Sequence, residues 1–245
     1  MKYSDTVIII PARFHSTRLP GKSIADINGI PMVARVLKIA KNLNLCDVFV
    51  ATEDEKVVEV VKKHNGIAFL TSDKLNSGTD RIFEALQQIN KDYKYIINLQ
   101  GDMPNIDGSI IEKIIENLHN VKSKNCILTA IYKIQDQSWR QIPQHVKVAI
   151  AYNENMNLHK CLYFSRSNIP SGNGDAYVHL GIYGYTIESL QEFVSLSQSR
   201  LEKSEKLEQL RALENDIPIY ATIVDSFPIS VDTAEDLELA RKVIK

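Results

Sequence analysis

The 245-residue chain has few cysteines, almost no net charge and no long apolar run. Its three cysteines, Cys46, Cys126 and Cys161, are far apart and form no C-x-x-C pair, so the sequence predicts neither a zinc site nor a disulfide framework. Such thiols are typical of reduced cysteines in a cytoplasmic protein. The 29 basic and 30 acidic side chains leave a formal net charge of −1. That balance argues against nucleic-acid binding, which needs a broad basic surface.

The sequence also lacks segments that would attach it to a membrane. No apolar run reaches the length that crosses a bilayer, and no signal peptide is recognisable. We therefore expect a cytoplasmic protein without membrane insertion. The length and the hydrophobic fraction of 44% suit one large α/β domain, or one domain with an insert.

Short apolar strands alternate with amphipathic helices over the first half of the chain, which predicts βαβ units and a mostly parallel sheet flanked by helices. Between residues 126 and 185 the segments alternate as strands, and most have no clear helix between them. This favours a smaller antiparallel extension within a single domain that spans residues 1–245. Beyond it, the sequence predicts helices over 187–197, 202–214 and 234–244, and a strand over 217–224.

Positive charge is concentrated in a basic loop, residues 11–22, directly after the apolar run of residues 7–10. The loop carries Arg13, Arg18 and Lys22 and no acidic residue. A buried strand would present this loop at the carboxyl edge of a parallel sheet, where ligands bind in open α/β folds. Three cations there suit a polyphosphate, and a solvated basic loop is the alternative. A P-loop is excluded, because Ser16 stands where the first glycine of that motif belongs.

Two aspartates are candidates for a Mg²⁺ site. Asp102 follows a buried strand and a glycine, although a turn or helix cap is the alternative role. Asp232 precedes the last predicted helix, where an ordinary N-cap is the competing interpretation. Thr233 and Asp236 resemble a capping box, which leaves Asp232 available to form a metal clamp with Asp102.

Other polar segments each have a structural and a functional interpretation. For Ser77, Gly78 and Thr79 the spacing alone favours a simple helix start over a site for a base or an anion. His179 and Tyr183 share one face of a predicted strand, which is either half-buried or a ligand face. Arg166 can bind an acidic substrate or form a surface ion pair. Glu208-Gln209 lies in a charged helix, whose default role is a solvated face.

Together these segments resemble one family, the 3-deoxy-D-manno-octulosonate (Kdo) cytidylyltransferases, or CMP-Kdo synthetases. The motifs that carry the resemblance are P-A-R-x-x-S-T-R-L-P-G-K at 11–22, S-G-T-D-R at 77–81, Q-G-D at 100–102, Y-F-S-R at 163–166, H-L-G-I-Y-G-Y at 179–185, L-E-Q-L-R at 207–211 and V-D-T-x-E-D-L at 231–237. They follow the family's order and span nearly the whole chain.

The resemblance implies a Rossmann-like nucleotidyltransferase fold, usually a homodimer, with residues 126–185 contributing to sugar binding and dimerisation. It implies the reaction of CTP with Kdo to give CMP-Kdo and pyrophosphate, with Mg²⁺, for lipopolysaccharide synthesis. The residues carried over to the nucleotide are Ala12, Arg13, Arg18, Lys22, Ser77, Gly78, Thr79, Arg81 and Gln100. Asp102 and Asp232 would hold the metal. The residues carried over to the sugar acid are Ser165, Arg166, His179, Tyr183, Glu208 and Gln209.

The chain departs from the family pattern at Met103, where the family usually has Glu. The loss of this acid can alter metal binding or sugar binding, or it can have no effect if the side chain at this position faces solvent. Segment 169–177 is also shorter than in typical members.

Two alternatives to the function implied by the resemblance stay open: a cytidylyltransferase for a related acidic sugar, such as 8-amino-Kdo or a nonulosonate, and a catalytically silent nucleotide-binding relative. We expect no protein general base, because phosphoryl-type transfer depends mainly on positioning and charge stabilisation.

Overall fold

The structure is a computed structural model that describes residues 1–16, 18–121, 123, 125–154 and 156–245. The chain divides into two compact units. The first unit contains residues 1–112 and 228–245, and the second contains residues 113–227. The second unit therefore begins before, and ends after, the extension expected over residues 126–185.

Parallel strands form the sheet of the first unit. Its strands are β1 (Thr6–Pro11), β4 (Asp47–Thr52), β5 (Ala68–Leu70) and β6 (Tyr95–Asn98), with a separate hairpin of β2 (Asp26–Ile27) and β3 (Ile30–Pro31). Its helices are α1 (Met32–Asn42), α2 (Glu55–Lys63), α3 (Gly78–Gln87), the start of α4 (Gly108–Asn120) and α8 (Ala234–Val243). The strands lie in the order β5–β4–β1–β6, and every described pairing among them is parallel, as predicted.

Strand β1 is buried along its whole length and pairs with β4 on one side and β6 on the other. An apolar run such as Val7–Ile10 is typical of a strand covered on both faces. Because these strands are parallel, their carboxyl ends share one edge of the sheet. The basic loop after β1 and the Gln100–Asp102 segment after β6 both begin at that edge.

The last residues of the chain return to the first unit through an apolar cluster. Val231, Leu237 and Ala240 pack with Ile27 and Met32. Helix α8 starts with the predicted capping box, in which Thr233 Oγ1 accepts from the Asp236 amide at 3.2 Å, and Asp236 Oδ2 accepts from the Thr233 amide at 2.9 Å. The cap and the cluster together fix the position of Asp232.

The second unit has a mixed sheet. Its strands are β7 (Ile127–Lys133), β8 (Lys147–Ala151), β9 (His159–Ser165), β10 (Tyr177–Thr186) and β11 (Ile219–Val224). They lie in the order β10–β7–β11–β9–β8, and β8 also pairs with β10. The described pairings within residues 126–185 are antiparallel, as predicted, whereas β11 runs parallel to β7.

The helices of the second unit, besides the end of α4, are α5 (Ile187–Ser195), α6 (Arg200–Glu205) and α7 (Leu210–Glu214). The prediction of one continuous helix over 202–214 was wrong. Lys206 adopts a left-handed conformation with φ of 56°, which ends α6. Within the described part of the chain, no helix is long and apolar enough to cross a membrane.

Candidate active site

A cavity of about 340 Å³ opens in the first unit at the carboxyl ends of β1 and β6. Its described lining residues are Pro11, Ala12, Arg13, His15, Ser16, Arg18, Lys22, Ser23, Met32, Gly78, Gln100, Gly101, Asp102 and Asp232. The predicted phosphate-binding and metal-binding side chains therefore share one cavity. Thr17, which lies in the same motif, is outside the described residues.

The basic loop is closed by backbone hydrogen bonds that aim Lys22 at this cavity. The Gly21 amide donates to Phe14 O at 3.1 Å, and the Lys22 amide donates to Leu19 O at 3.0 Å. Gly21 has φ of +69°, a left-handed conformation that favours glycine. Lys22 then begins a short 3₁₀ turn over Lys22–Ile24. The P-G-K part of the motif is therefore a turn, which explains why no P-loop helix follows.

Gly101 allows two segments at this edge to approach closely. A Cβ at this position would lie 3.0 Å from the backbone oxygen of Pro11. Any side chain would press against the end of β1. Because residue 101 is glycine, Asp102 is held beside the basic loop. The backbone oxygen of Asp102 also accepts from the Val231 amide at 2.9 Å, which brings the Asp232 segment to the same place.

The Lys22 ammonium bridges the two candidate metal ligands. Its Nζ donates to Asp102 Oδ2 at 2.9 Å and to Asp232 Oδ1 at 3.0 Å, and Arg18 Nη2 lies 3.1 Å from the same Asp232 oxygen. Burial alone would lower the pKa of Lys22, but Asp102 and Asp232 outweigh it, so the pKa is raised. Lys22 therefore remains charged. One carboxylate oxygen of each aspartate faces a single cation position.

This donor set fits Mg²⁺. Asp102 and Asp232 supply hard carboxylate oxygens that converge on one point, and Mg²⁺ is commonly held by one or two carboxylates together with phosphate and water oxygens. The described residues contain no group of three or more His, Cys, Asp or Glu side chains suited to a metal. The remaining ligands would then come from the nucleotide and from water.

The predicted nucleotide residues of the S-G-T-D-R and Q-G-D motifs occupy different environments. Gly78 and Gln100 line the cavity, and Gln100 Nε2 donates to Asn98 Oδ1 at 2.9 Å. Ser77 caps α3, with Oγ accepting from the Asp80 amide at 3.1 Å. Thr79 and Arg81 are buried, at 1% and 0% exposure.

Sequence reasoning missed Glu53, which lies between Arg81 and the basic loop. Glu53 Oε1 accepts from the Phe14 amide at 2.8 Å, and Glu53 Oε2 lies 3.2 Å from Arg81 Nη1. Burial lowers the pKa of Arg81, and Glu53 opposes that shift. In the sequence, Glu53 stands beside the α2 cap Asp54 and is indistinguishable from an ordinary acid of a helix start.

Met103 is buried, with 4% of its surface exposed. The alternative in which this position faces solvent is therefore excluded. A glutamate at this position would be enclosed and would need a partner for its charge.

In the second unit, His179 and Tyr183 lie against each other, with ring centroids 5.3 Å apart. Burial, followed by the nearby Tyr185 and Glu208, raises the pKa of Tyr183 well above its usual value, so the phenol stays neutral. His179 Nε2 lies 2.9 Å from Thr129 Oγ1. Thr129 Oγ1 also lies 2.8 Å from the backbone oxygen of Ile182.

Burial lowers the pKa of His179 to about 3. Its unfolded pKa is about 6.5, so below that pH the unfolded chain takes up a proton that the folded protein does not, and stability falls. From about pH 7 to about pH 5.5 this group should remove roughly 1.3 kcal/mol from the free energy of unfolding. His179→Gln lacks this contribution, so its loss of stability should be smaller by that amount. Urea unfolding followed by the fluorescence of Trp139 measures the difference, and equal losses in both proteins would contradict the assignment.

Ser165 and Arg166 are organised by a second acid that the sequence did not reveal, Glu205. Glu205 Oε1 accepts from Ser165 Oγ at 2.8 Å, and Glu205 Oε2 accepts from the Arg166 amide at 3.2 Å. The exposed Arg166 guanidinium donates from Nε to Glu205 O at 3.2 Å, and from Nη1 to Pro143 O at 3.2 Å. Arg166 is therefore held in one orientation while it remains accessible.

The helix break at Lys206 separates Glu205 from the predicted Glu208-Gln209 pair. Gln209 is 7% exposed, and Arg211 Nη2 lies 3.9 Å from Glu208 Oε1. Glu208 therefore belongs to a partly buried charged cluster. This differs from the solvated helix face that was the default interpretation.

The chain is similar to known cytidylyltransferases over most of its length. The cytidylyltransferase family model matches residues 7–219. The 3-deoxy-manno-octulosonate cytidylyltransferase of Rickettsia prowazekii is 44% identical over 100% of this chain and 97% of its own. That of Rhodospirillum rubrum is 40% identical over 97% and 95%. A solved CMP:2-keto-3-deoxy-manno-octonic acid synthetase complexed with CTP has a TM-score of 0.89, with 34% identity and 98% of each chain covered. The chain therefore belongs to the 3-deoxy-manno-octulosonate cytidylyltransferase family.

Proposed function

We propose that this protein transfers a cytidylyl group from CTP to Kdo, which gives CMP-Kdo and pyrophosphate for lipopolysaccharide synthesis. The observation that carries the proposal is the convergence of Lys22, Asp102 and Asp232 in one cavity after β1 and β6. The full-length similarity to Kdo cytidylyltransferases supports the choice of nucleotide and sugar. The family resemblance supports a homodimer. The buried cysteines, which form no disulfide, support a cytoplasmic location.

We assign CTP to the cavity of the first unit. Arg13, Arg18 and Lys22 carry the charge that binds a triphosphate, and Ala12 contributes to the cavity wall beside them. Gly78 and Gln100 face the same cavity from the other two motifs and are suited to the base and ribose. Ser77 caps α3 and Thr79 is buried in its first turn, so both residues contribute mainly by fixing the start of this helix.

The reaction requires the anomeric hydroxyl of the sugar to attack the α-phosphorus and pyrophosphate to leave. Arg18 and Lys22 can stabilise the growing negative charge on the leaving pyrophosphate. Asp102 and Asp232 would hold Mg²⁺, and the bound ion would supply charge neutralisation at the phosphates and lower the pKa of the attacking hydroxyl. Lys22 also donates to one oxygen of each of the same two carboxylates.

We assign the sugar acid to residues of the second unit. The accessible guanidinium of Arg166 suits the carboxylate of Kdo. His179 and Tyr183 stay neutral, so they can hydrogen-bond sugar hydroxyls without competing for that carboxylate. Ser165, Glu208 and Gln209 complete the proposed set.

Glu205→Gln tests the sugar assignment. The amide keeps one acceptor but loses the charge and the second oxygen, so the Ser165 and Arg166 contacts cannot both be kept. We expect KM for Kdo to rise about tenfold while KM for CTP stays within about twofold.

The exposed Glu188, in the first turn of α5, provides the matched control for this variant. Glu188→Gln should leave both KM values unchanged. A rise in KM for CTP with no change for Kdo in Glu205→Gln would remove Ser165 and Arg166 from the sugar site.

Pyrophosphate release with CTP, Mg²⁺ and a panel of acidic sugars tests the function. The proposal requires release with Kdo at a kcat/KM above that for 8-amino-Kdo and for a nonulosonate. A preference for either of those sugars would reassign the substrate. Absence of release with every sugar would favour the silent relative.

A further inference from the structure

A buried ion pair lies behind the basic loop of the first unit. The side chains of Arg81 and Glu53 are 0% and 5% exposed, and Arg81 Nη1 lies 3.2 Å from Glu53 Oε2. A charge removed from water to this extent is costly unless it is paired and hydrogen-bonded. Glu53 and Arg81 therefore depend on each other.

The carboxylate of Glu53 has a second set of partners, which are backbone amides of the basic loop. Glu53 Oε1 accepts from the Phe14 amide at 2.8 Å and from the His15 amide at 3.3 Å. The backbone oxygen of Phe14 in turn accepts from the Gly21 amide at 3.1 Å, and Lys22 follows directly. A continuous series of contacts thus leads from Arg81 to the residue before Lys22.

Arg81 is closed off from a ligand. Its Nη1 also donates to Thr71 Oγ1 and to Ser72 O, the latter at 3.4 Å. Its Nε and Nη2 atoms are buried and have no hydrogen-bond partner among the described residues. Arg81 is also not among the described residues that line the cavity.

From this geometry we infer that Arg81 is a positioning residue, which acts through Glu53 to hold the basic loop in its phosphate-binding shape and does not contact the cytosine. The inference rests on the proposed function, since it takes CTP as the ligand of the loop. It predicts that Arg81 affects the triphosphate and leaves the choice of base unchanged. A residue that frames the cytosine would have the opposite effect.

The test is equilibrium binding of CTP, UTP and CMP, measured by calorimetry, to the wild type, Arg81→Met, Arg81→Lys and the double variant Glu53→Gln/Arg81→Met. Arg81→Met leaves a buried carboxylate without its cation, so CTP should bind about 10- to 30-fold more weakly and CMP less than about threefold more weakly. The CTP-to-UTP affinity ratio should stay within about threefold of the wild-type ratio.

The double variant should recover most of the lost CTP affinity. The amide oxygen introduced by Glu53→Gln can still accept a hydrogen bond from the loop, and no uncompensated charge remains. Arg81→Lys keeps the positive charge and should bind CTP more tightly than Arg81→Met. If Arg81→Met does not fold, the double variant alone tests the inference. Its CTP affinity and its preference for CTP over UTP should then be close to those of the wild type.

A fall of about tenfold or more in the CTP-to-UTP ratio would overturn the inference, as would a double variant that binds CTP no better than Arg81→Met. Binding is measured without turnover, so the result does not depend on the sugar. If the wild type binds CTP but releases no pyrophosphate with Kdo, the proposed function fails while the binding pattern still decides the role of Arg81.

Discussion

Asp102→Asn and Asp232→Asn should each lower kcat by at least ~100-fold, the scale seen when one preorganised charge interaction is removed from an active site. Each substitution keeps the shape of the side chain and removes the charge that faces the shared cation position. Pyrophosphate release at saturating CTP, Kdo and Mg²⁺ measures the loss. CTP affinity without Mg²⁺ should change by less than about threefold, because the loss requires the metal.

The matched control is Asp92→Asn, since Asp92 is an exposed aspartate of the same unit that lies between α3 and β6. It should have wild-type kcat. Near-normal turnover in both Asp102→Asn and Asp232→Asn would remove the metal clamp from the proposed reaction.

Lys22→Met should have two measurable effects of opposite direction. CTP should bind roughly 10- to 100-fold more weakly and CMP only slightly more weakly, because a charged donor to the distal phosphates is lost. Mn²⁺, used as a probe for Mg²⁺, should bind the nucleotide-free protein at least about threefold more tightly, because no ammonium competes for Asp102 and Asp232. Calorimetry measures the nucleotides, and electron paramagnetic resonance measures Mn²⁺.

Lys22→Arg is the control for charge, and it should keep Mn²⁺ affinity closer to the wild type than Lys22→Met does. If Lys22→Met weakens CTP and CMP equally and leaves Mn²⁺ binding unchanged, Lys22 belongs to the base, to the ribose or to the scaffold alone.

The proximity of the basic loop and Asp102 could be predicted because strand polarity brings the two segments together. Arg13 and Asp102 follow two strands whose carboxyl ends share one edge of a parallel sheet. Asp232 is distant in sequence and follows no strand of this sheet. It could be predicted because Thr233 and Asp236 account for the start of α8 and leave Asp232 without a capping role.

The two acids that support the site could not be predicted, because their roles come from tertiary contacts. In the sequence Glu53 resembles an ordinary acid before a helix, and the burial of its partner Arg81 is a property of the whole unit. Glu205 lies in a charged stretch that predicts a continuous solvated helix. The left-handed Lys206 breaks that helix, and the backbone oxygen of Glu205 then accepts from Arg166. Local sequence contains no signal for either contact.

We propose that the sugar hydroxyl attacks the α-phosphorus of CTP, and ³¹P NMR of a single reaction mixture tests this claim most directly. With CTP, Kdo and Mg²⁺, the wild-type protein should produce the phosphodiester of CMP-Kdo and pyrophosphate in equal amounts, with no CDP. Formation of CDP and inorganic phosphate, or an unchanged CTP spectrum in the presence of Kdo, would contradict the claim.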